Sequence, residues 1–167
     1  MTVAVRPLEQ GDRKFVISTW LDSYRTSFSA GLVPFDRWYD VMWPIVDRLL
    51  DRPGVRTLVS HETEERDRLA DLYGFITFEL DTPPTDKMRR GGWSKNVPTV
   101  YYVYVKGPQR KWGYARQLFA AAGVDPRYPF VQGCRTEICA RLGNKIPLSE
   151  WDQLRARIYP DERRPEK

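Results

Sequence analysis

From Thr99 to Gly123 the chain reads Thr-Val-Tyr-Tyr-Val-Tyr-Val, then Lys106-Gly-Pro-Gln-Arg-Lys-Trp-Gly113, then Tyr-Ala-Arg-Gln-Leu-Phe-Ala-Ala-Ala-Gly123. An apolar strand empties into a short basic loop containing glycine, and the loop opens onto a helix. Amides at a helix start have no partner inside the helix and carry partial positive charge. The arrangement therefore suits a pyrophosphate held by backbone donors and a few basic side chains. Gly113 lets the backbone approach an anion without a Cβ, Ala115 keeps the first helical turn thin, and Arg110, Lys111 and Arg116 add charge.

Other reactive residue types are sparse. Cys134 and Cys139 form a lone C-x4-C, and with the single distant His61 they do not make a four-ligand zinc site, so no metal is expected. The two thiols read as reduced and buried. His61 stands at a strand end beside Glu62, Glu64 and Glu65 and reads as an exposed loop residue, since nothing near it in sequence forms a nucleophile pair. Of the six tryptophans, Trp20, Trp38 and Trp43 fit helix-face core positions, whereas Trp93 and Trp112 lie in loops. Trp112 either packs its indole across the helix start or stacks on a ligand ring.

The net charge of +5 is unevenly spread. Residues 1–86 hold 10 Lys+Arg against 15 Asp+Glu, a balance of −5, and residues 87–167 hold 17 against 7, a balance of +10. The positive half is the half that carries the phosphate loop. Such a half suits a polyanionic cofactor, an acidic protein partner or nucleic acid, and charge alone does not choose among them.

The elements that must position these residues follow from periodicity. Ala4–Pro7 reads as a first strand, and Asp12 as the N-cap of a helix to Arg25 whose Val16, Ile17, Trp20, Leu21 and Tyr24 share one face. A second helical region carries Trp38, Val41, Met42, Ile45 and Leu49 on one stripe, with Pro44 expected to kink or split it. Val55–His61 and Leu72–Leu80 read as a hairpin, with Gly74 inviting a bulge or tight crossing. Asp81–Pro98 is a long polar connection, followed by the strand Thr99–Val105 and a helix from Gly113 to Ala122 that Gly123 closes. Phe130–Gly133 reads as a further strand and Leu148–Ile158 as a last helix.

A chain of 167 residues is the size of one domain, 1–160, with 161–167 expected as a disordered tail. No apolar run approaches the roughly 20 residues that span a bilayer, and Met1–Arg6 lacks the form of a signal peptide. A cytoplasmic protein without a membrane partner is the expectation.

The order of elements around a single central phosphate loop resembles the GNAT superfamily of acyl-CoA-dependent N-acyltransferases. The family signature R/Q-x-x-G-x-G/A stands here as Arg110-Lys-Trp-Gly113-Tyr-Ala115, after the lead-in Val105-Lys-Gly-Pro. The motif match covers about 25 residues, and the element order extends it over most of the chain. The resemblance implies an α/β (α+β) fold, a twisted mixed β-sheet flanked by helices, with central strands splayed near Val105. It implies acetyl-CoA as co-substrate, bound by Val103, Tyr104 and Val105 and by Arg110, Lys111, Trp112, Gly113, Tyr114, Ala115 and Arg116. The acceptor is then an amine of a small molecule or a protein, attacking the thioester directly.

The proton-handling groups carry over less well, because Thr99–Val105 contains no carboxylate. Glu79 is the substitute base, with Asp81 next, and Tyr104 the candidate acid, with Tyr128 and Tyr159 more remote. Two other readings share the fold. One is a nucleic-acid-directed protein whose basic half lies along phosphate, favoured by the resemblance of compact Trp-rich chains like this one to bacteriophage members of the family. The other is a binding module without catalysis.

Overall fold

β-Branched and aromatic residues dominate the two longest strands, Leu72–Thr82 and Val97–Val105, and the connections between strands decide the sheet. The computed structural model of the chain describes residues 3–25, 34–62, 72–84, 86–90, 92, 94–128, 130–132 and 145–146. The strands are β1 (Val3–Pro7), β2 (Arg56–Glu62), β3 (Leu72–Thr82), β4 (Val97–Val105), β5 (Phe130–Gln132) and β6 (Lys145–Ile146). The helices are α1 (Arg13–Tyr24), α2 (Trp38–Leu50), the short α3 (Asp86–Arg90) and α4 (Tyr114–Ala122). All six strands form one sheet in sequence order, antiparallel from β1 to β4 and parallel from β4 to β6. The mixed sheet flanked by helices expected from the sequence is thus present, with α3 and β6 added. The expected helix at 148–158, both cysteines, Trp93, Tyr159 and the tail lie outside the described residues.

Two cores cover the two faces of the sheet. On one face α1 and α2 bury Val16, Ile17, Trp20, Leu21, Trp38, Met42 and Leu49 against Val59, Phe75, Tyr101 and Tyr102. On the other α4 buries Tyr114, Leu118 and Phe119 against Ile76, Phe78, Val100, Val103 and Val105. The first core is held by ring contacts, with Trp20 and Tyr102 stacked at 4.7 Å and 19°.

Several local expectations need correction. α2 runs unbroken through Pro44. Pro44 and Asp40, whose carbonyl loses its helical bond, are both exposed, so water serves the orphaned group. Val41 is exposed and Val46 takes its place in the core. His61 sits half-buried within β2 rather than in a loop, close enough to act on the charge of Asp12. Asp12 precedes α1, but its carboxylate bonds no helix amide. It accepts instead from the Glu9 N–H at 3.0 Å and from Arg6 on β1 at 2.5 and 3.0 Å, which ties the start of α1 to the edge of the sheet.

Side-chain alternation breaks at Gly74. Tyr73 lies in the α4 core and Phe75, two residues on, in the opposite one. The pairing of β2 with β3 shifts at Ser60/His61, directly across from it. A Cβ on Gly74 would stand 2.4 Å from the Tyr104 carbonyl oxygen and 3.2 Å from the Val105 Cα, so only glycine allows β3 and β4 to approach this closely.

Two outcomes follow. Gly74→Ala forces backbone apart and should cost about 2–3 kcal/mol in thermal unfolding, whereas Gly11→Ala, with nothing within 4 Å of its Cβ, should be close to neutral. For Asp12, burial pushes the carboxyl up, but the bonds from Arg6 and the Glu9 N–H, with the charges of Arg6 and His61, pull harder and leave it below the ordinary carboxylate value. A carboxyl depressed by folding stabilises fully above its unfolded pKa, about 3.9, and loses that contribution as pH falls through the folded value. Asp12→Asn should therefore cost about 3 kcal/mol at pH 7. Its deficit in urea unfolding should shrink below about pH 4, and an equal deficit at pH 7 and pH 3 would contradict the role.

Candidate functional site

After β4 the chain makes a 3-10 turn over Gly107–Gln109, with Pro108 pre-setting its start, and a second turn over Arg110–Gly113. Gly113 has φ +84, a left-handed conformation open to glycine at little cost, and it directs the chain into α4. The first amide bonded back across the turn is that of Gln117, to the Gly113 carbonyl at 3.1 Å, so those of Tyr114, Ala115 and Arg116 precede the helical ladder. Nothing lies within 4 Å of a Cβ built on Gly113. The loop read from the sequence thus turns at Gly113 into α4, with the helix's first three amides ahead of the ladder.

Its side chains divide into two groups. Arg110, Lys111, Trp112 and Arg116 are exposed around the loop, Trp112 by 64%. Tyr114 is buried with its ring 5.5 Å from that of Tyr73, so only its amide faces the cradle. A groove of about 810 Å³ starts at Ala115 and Arg116 and runs along α4 to the turn Gly123–Arg127. There Asp125 and Arg127 are paired at 2.7 Å. No group of three His, Cys, Asp or Glu among the described residues is placed to hold a metal.

The β4 edge is decided by alternation. The Lys106 N–H bonds the Tyr73 carbonyl at 2.8 Å, so Tyr104 and Tyr102, two and four residues earlier, also turn their backbone groups toward β3. Val103 and Val105 then turn their N–H and C=O toward the β5 side. There the described ladder involves only Thr99 with Val131 and Val100 with Gln132. The Val105 carbonyl accepts from the Arg110 Nε at 3.2 Å, which anchors the cradle to the strand end. Of the three strand residues proposed from the sequence to bind a ligand through their backbone, Val103 and Val105 turn toward the β5 side, where no described residue pairs with them, and Tyr104 turns toward β3.

Tyr104 is half-buried on the α1/α2 face, with its ring 6.0 Å from Phe75 and roughly parallel to it. Glu79 lies opposite Thr99 near the end of β3, half-buried on the same face. Its Oε2 accepts a hydrogen bond of 2.7 Å from the Tyr101 hydroxyl. Tyr101 is not among the residues singled out from the sequence, and strict alternation would put it on the face opposite Tyr102. The pairing of β3 with β4 shifts between Thr77 and Phe78, which are opposite Tyr102 and Val100, and Tyr101 is the extra residue of a bulge. Both tyrosines consequently enter the α1/α2 core. Tyr101 reaches Glu79, and Tyr102 reaches the Ser23 hydroxyl at 2.7 Å. Two adjacent tyrosines in one strand were the only signal in the sequence.

A stability prediction isolates the cradle's backbone. Gly113→Ala places a Cβ in open space but in a left-handed conformation and should cost about 1–2 kcal/mol. A melting temperature unchanged from wild type would show that the loop adopts another conformation.

No family model matches the sequence, and no curated protein resembles it closely enough in sequence to count as a match. Solved structures do resemble it in fold. An aminoglycoside antibiotic 6'-N-acetyltransferase from Acinetobacter baumannii superposes with a TM-score of 0.53 at 11% identity, over 89% of this chain and 96% of that one. AAC(6')-Iy in complex with the bisubstrate analogue CoA-S-monomethyl-acetylneamine gives 0.51 at 13% identity, over 89% and 97%. A histone acetyltransferase HPA2 and related acetyltransferase from Corynebacterium glutamicum gives 0.51 at 12%, over 74% and 70%.

Proposed function

We propose that this chain, which has the fold of the GNAT acetyltransferases, binds acetyl-CoA and transfers its acetyl group to an amine. The observation that carries the reading is the meeting of two features at one strand end. The edge of Val103 and Val105, which pairs with no described residue of β5, runs directly into a helix start whose first three amides have no bond among the described residues and which is led by a left-handed glycine. A nucleotide pyrophosphate answers to the second feature and a pantetheine arm, with its amide groups, to the first.

In this reading the amides of Tyr114, Ala115 and Arg116 hold the pyrophosphate, with Arg110, Lys111 and Arg116 neutralising its charge. Trp112, exposed at the loop, is available to stack on a ring. The pantetheine extends β4 along Val103 and Val105, and the thioester comes to rest where the β4–β5 ladder closes, near Val100. The acceptor amine approaches from the α1/α2 face and attacks the carbonyl carbon. One amine proton must leave before attack, and Glu79 on that face is the candidate base. Tyr104 keeps its ring on Phe75, five residues further along β4 than the Thr99 that faces Glu79, so it is the weaker candidate for proton transfer. The acceptor class is a small molecule or a protein amine, in line with the aminoglycoside acetyltransferase that shares the fold.

Acetyl-CoA at a hundredfold excess over Kd should stabilise the protein by about 2.7 kcal/mol. That corresponds to a rise of about 5–10 °C in melting temperature. Arg110→Glu and Gly113→Glu should abolish the shift, the first by reversing charge and the second by filling the cradle. An unshifted wild type sinks the reading. Binding of duplex nucleic acid that weakens steeply with salt, in the absence of any acetyl-CoA shift, would favour the basic half as a phosphate-backbone surface instead.

A further inference from the structure

Tyr101 is almost fully buried in the α1/α2 core, where a phenylalanine would fill the same space. Its hydroxyl nevertheless leaves that core to bond a carboxylate at the end of a neighbouring strand. The bulge makes this contact. Without the extra residue in β4, Tyr101 would point into the α4 core and Glu79 would have no phenol within reach. The sheet around the pair is polar as well, with the Thr57 and Thr77 hydroxyls bonded to each other at 3.0 Å and Thr99, opposite Glu79, buried. The Glu79 carboxylate divides its oxygens. Oε2 takes the tyrosine bond, and Oε1 lies against the turn before β2, 3.3 Å from where a Cβ on Gly54 would stand, with no donor among the described residues.

We infer that Glu79 and Tyr101 form one proton-accepting unit, in which the bulge-borne Tyr101 positions Glu79 so that Oε1 takes the proton of a cationic amine acceptor. The inference rests on the acyl-CoA reading above and adds to it the base, its positioning residue and the charge state of the acceptor. In the step, the ammonium gives one proton to Oε1, and the freed lone pair forms the N–C bond at the thioester carbonyl. The C–S bond then breaks with its electron pair on sulfur, and the second nitrogen proton passes to the thiolate to give the CoA thiol. Glu79 returns its proton to water. The bond from the Tyr101 hydroxyl to Oε2 fixes the orientation of the carboxylate, which leaves Oε1 as the oxygen that takes the proton.

The test uses full-length wild type, Tyr101→Phe and Glu79→Gln, with acetyl-CoA and two probe amines, n-butylamine, cationic at pH 7, and hydroxylamine, neutral there. Acetyl-CoA should raise the melting temperature of all three proteins alike. With n-butylamine, CoA release should fall about 100-fold or more in Glu79→Gln and about 10-fold in Tyr101→Phe, with KM for the amine little changed. Both variants should lose far less with hydroxylamine, which needs no prior deprotonation. Equal losses with both amines, or a wild type that binds acetyl-CoA but acylates neither amine, overturns the inference and leaves donor binding standing. An absent acetyl-CoA shift sinks the underlying reading instead.

Discussion

One strand carries backbone partners of opposite direction on its two edges, and the site depends on the difference. Along β3 the pairing of Val97–Val105 is long and antiparallel, while toward β5 the described pairing is parallel and stops after Val100. A backbone edge with N–H and C=O groups turned outward and buried flanks is costly to leave unserved. Arg110 serves the last carbonyl, and Val103 and Val105 present what remains of the edge.

Two irregularities in the long ladder set the rest. At Gly74 the strands approach so closely that no side chain fits, which locks the end of β3 against the strand end that launches the cradle. At Tyr101 the added residue rotates the first half of β4 relative to its second half, so that consecutive tyrosines enter one core. Register in a sheet is a whole-strand property, and a one-residue shift moves every side chain on one side of it to the other face. The bulge therefore decides which face of the sheet meets Glu79, while the cradle beyond it keeps its own alternation.

Charge follows the same division. The acidic half of the chain builds β1 to β3 and the helices over the α1/α2 face, and the basic half begins just after α3 starts and supplies the cradle. The acidic part spends some of its charge on structure. Asp12 is buried on Arg6 and the Glu9 N–H, and Asp47 and Asp51 hold Arg13 at 2.7 and 2.8 Å. Glu79 stands apart from these pairs because its one bonded partner among the described residues is a neutral phenol.

By itself the sequence determined what short-range chemistry controls. The basic glycine loop, the closing Gly123, the faces of α1 and most of the strand limits all follow from local conformational preference and hydrophobic period. Each is a property of a few adjacent residues. Only the tertiary structure decided the rest. Whether Tyr104 or Val103 turns toward the β5 side depends on which residue of β4 first bonds β3. Whether Tyr101 meets Glu79 depends on a bulge that neither strand announces. That Asp12 bonds a β1 arginine instead of capping its own helix depends on the sheet edge lying within reach. Register, bulges and contacts between distant segments are settled by the summed packing of both faces, and no single stretch of residues carries that sum.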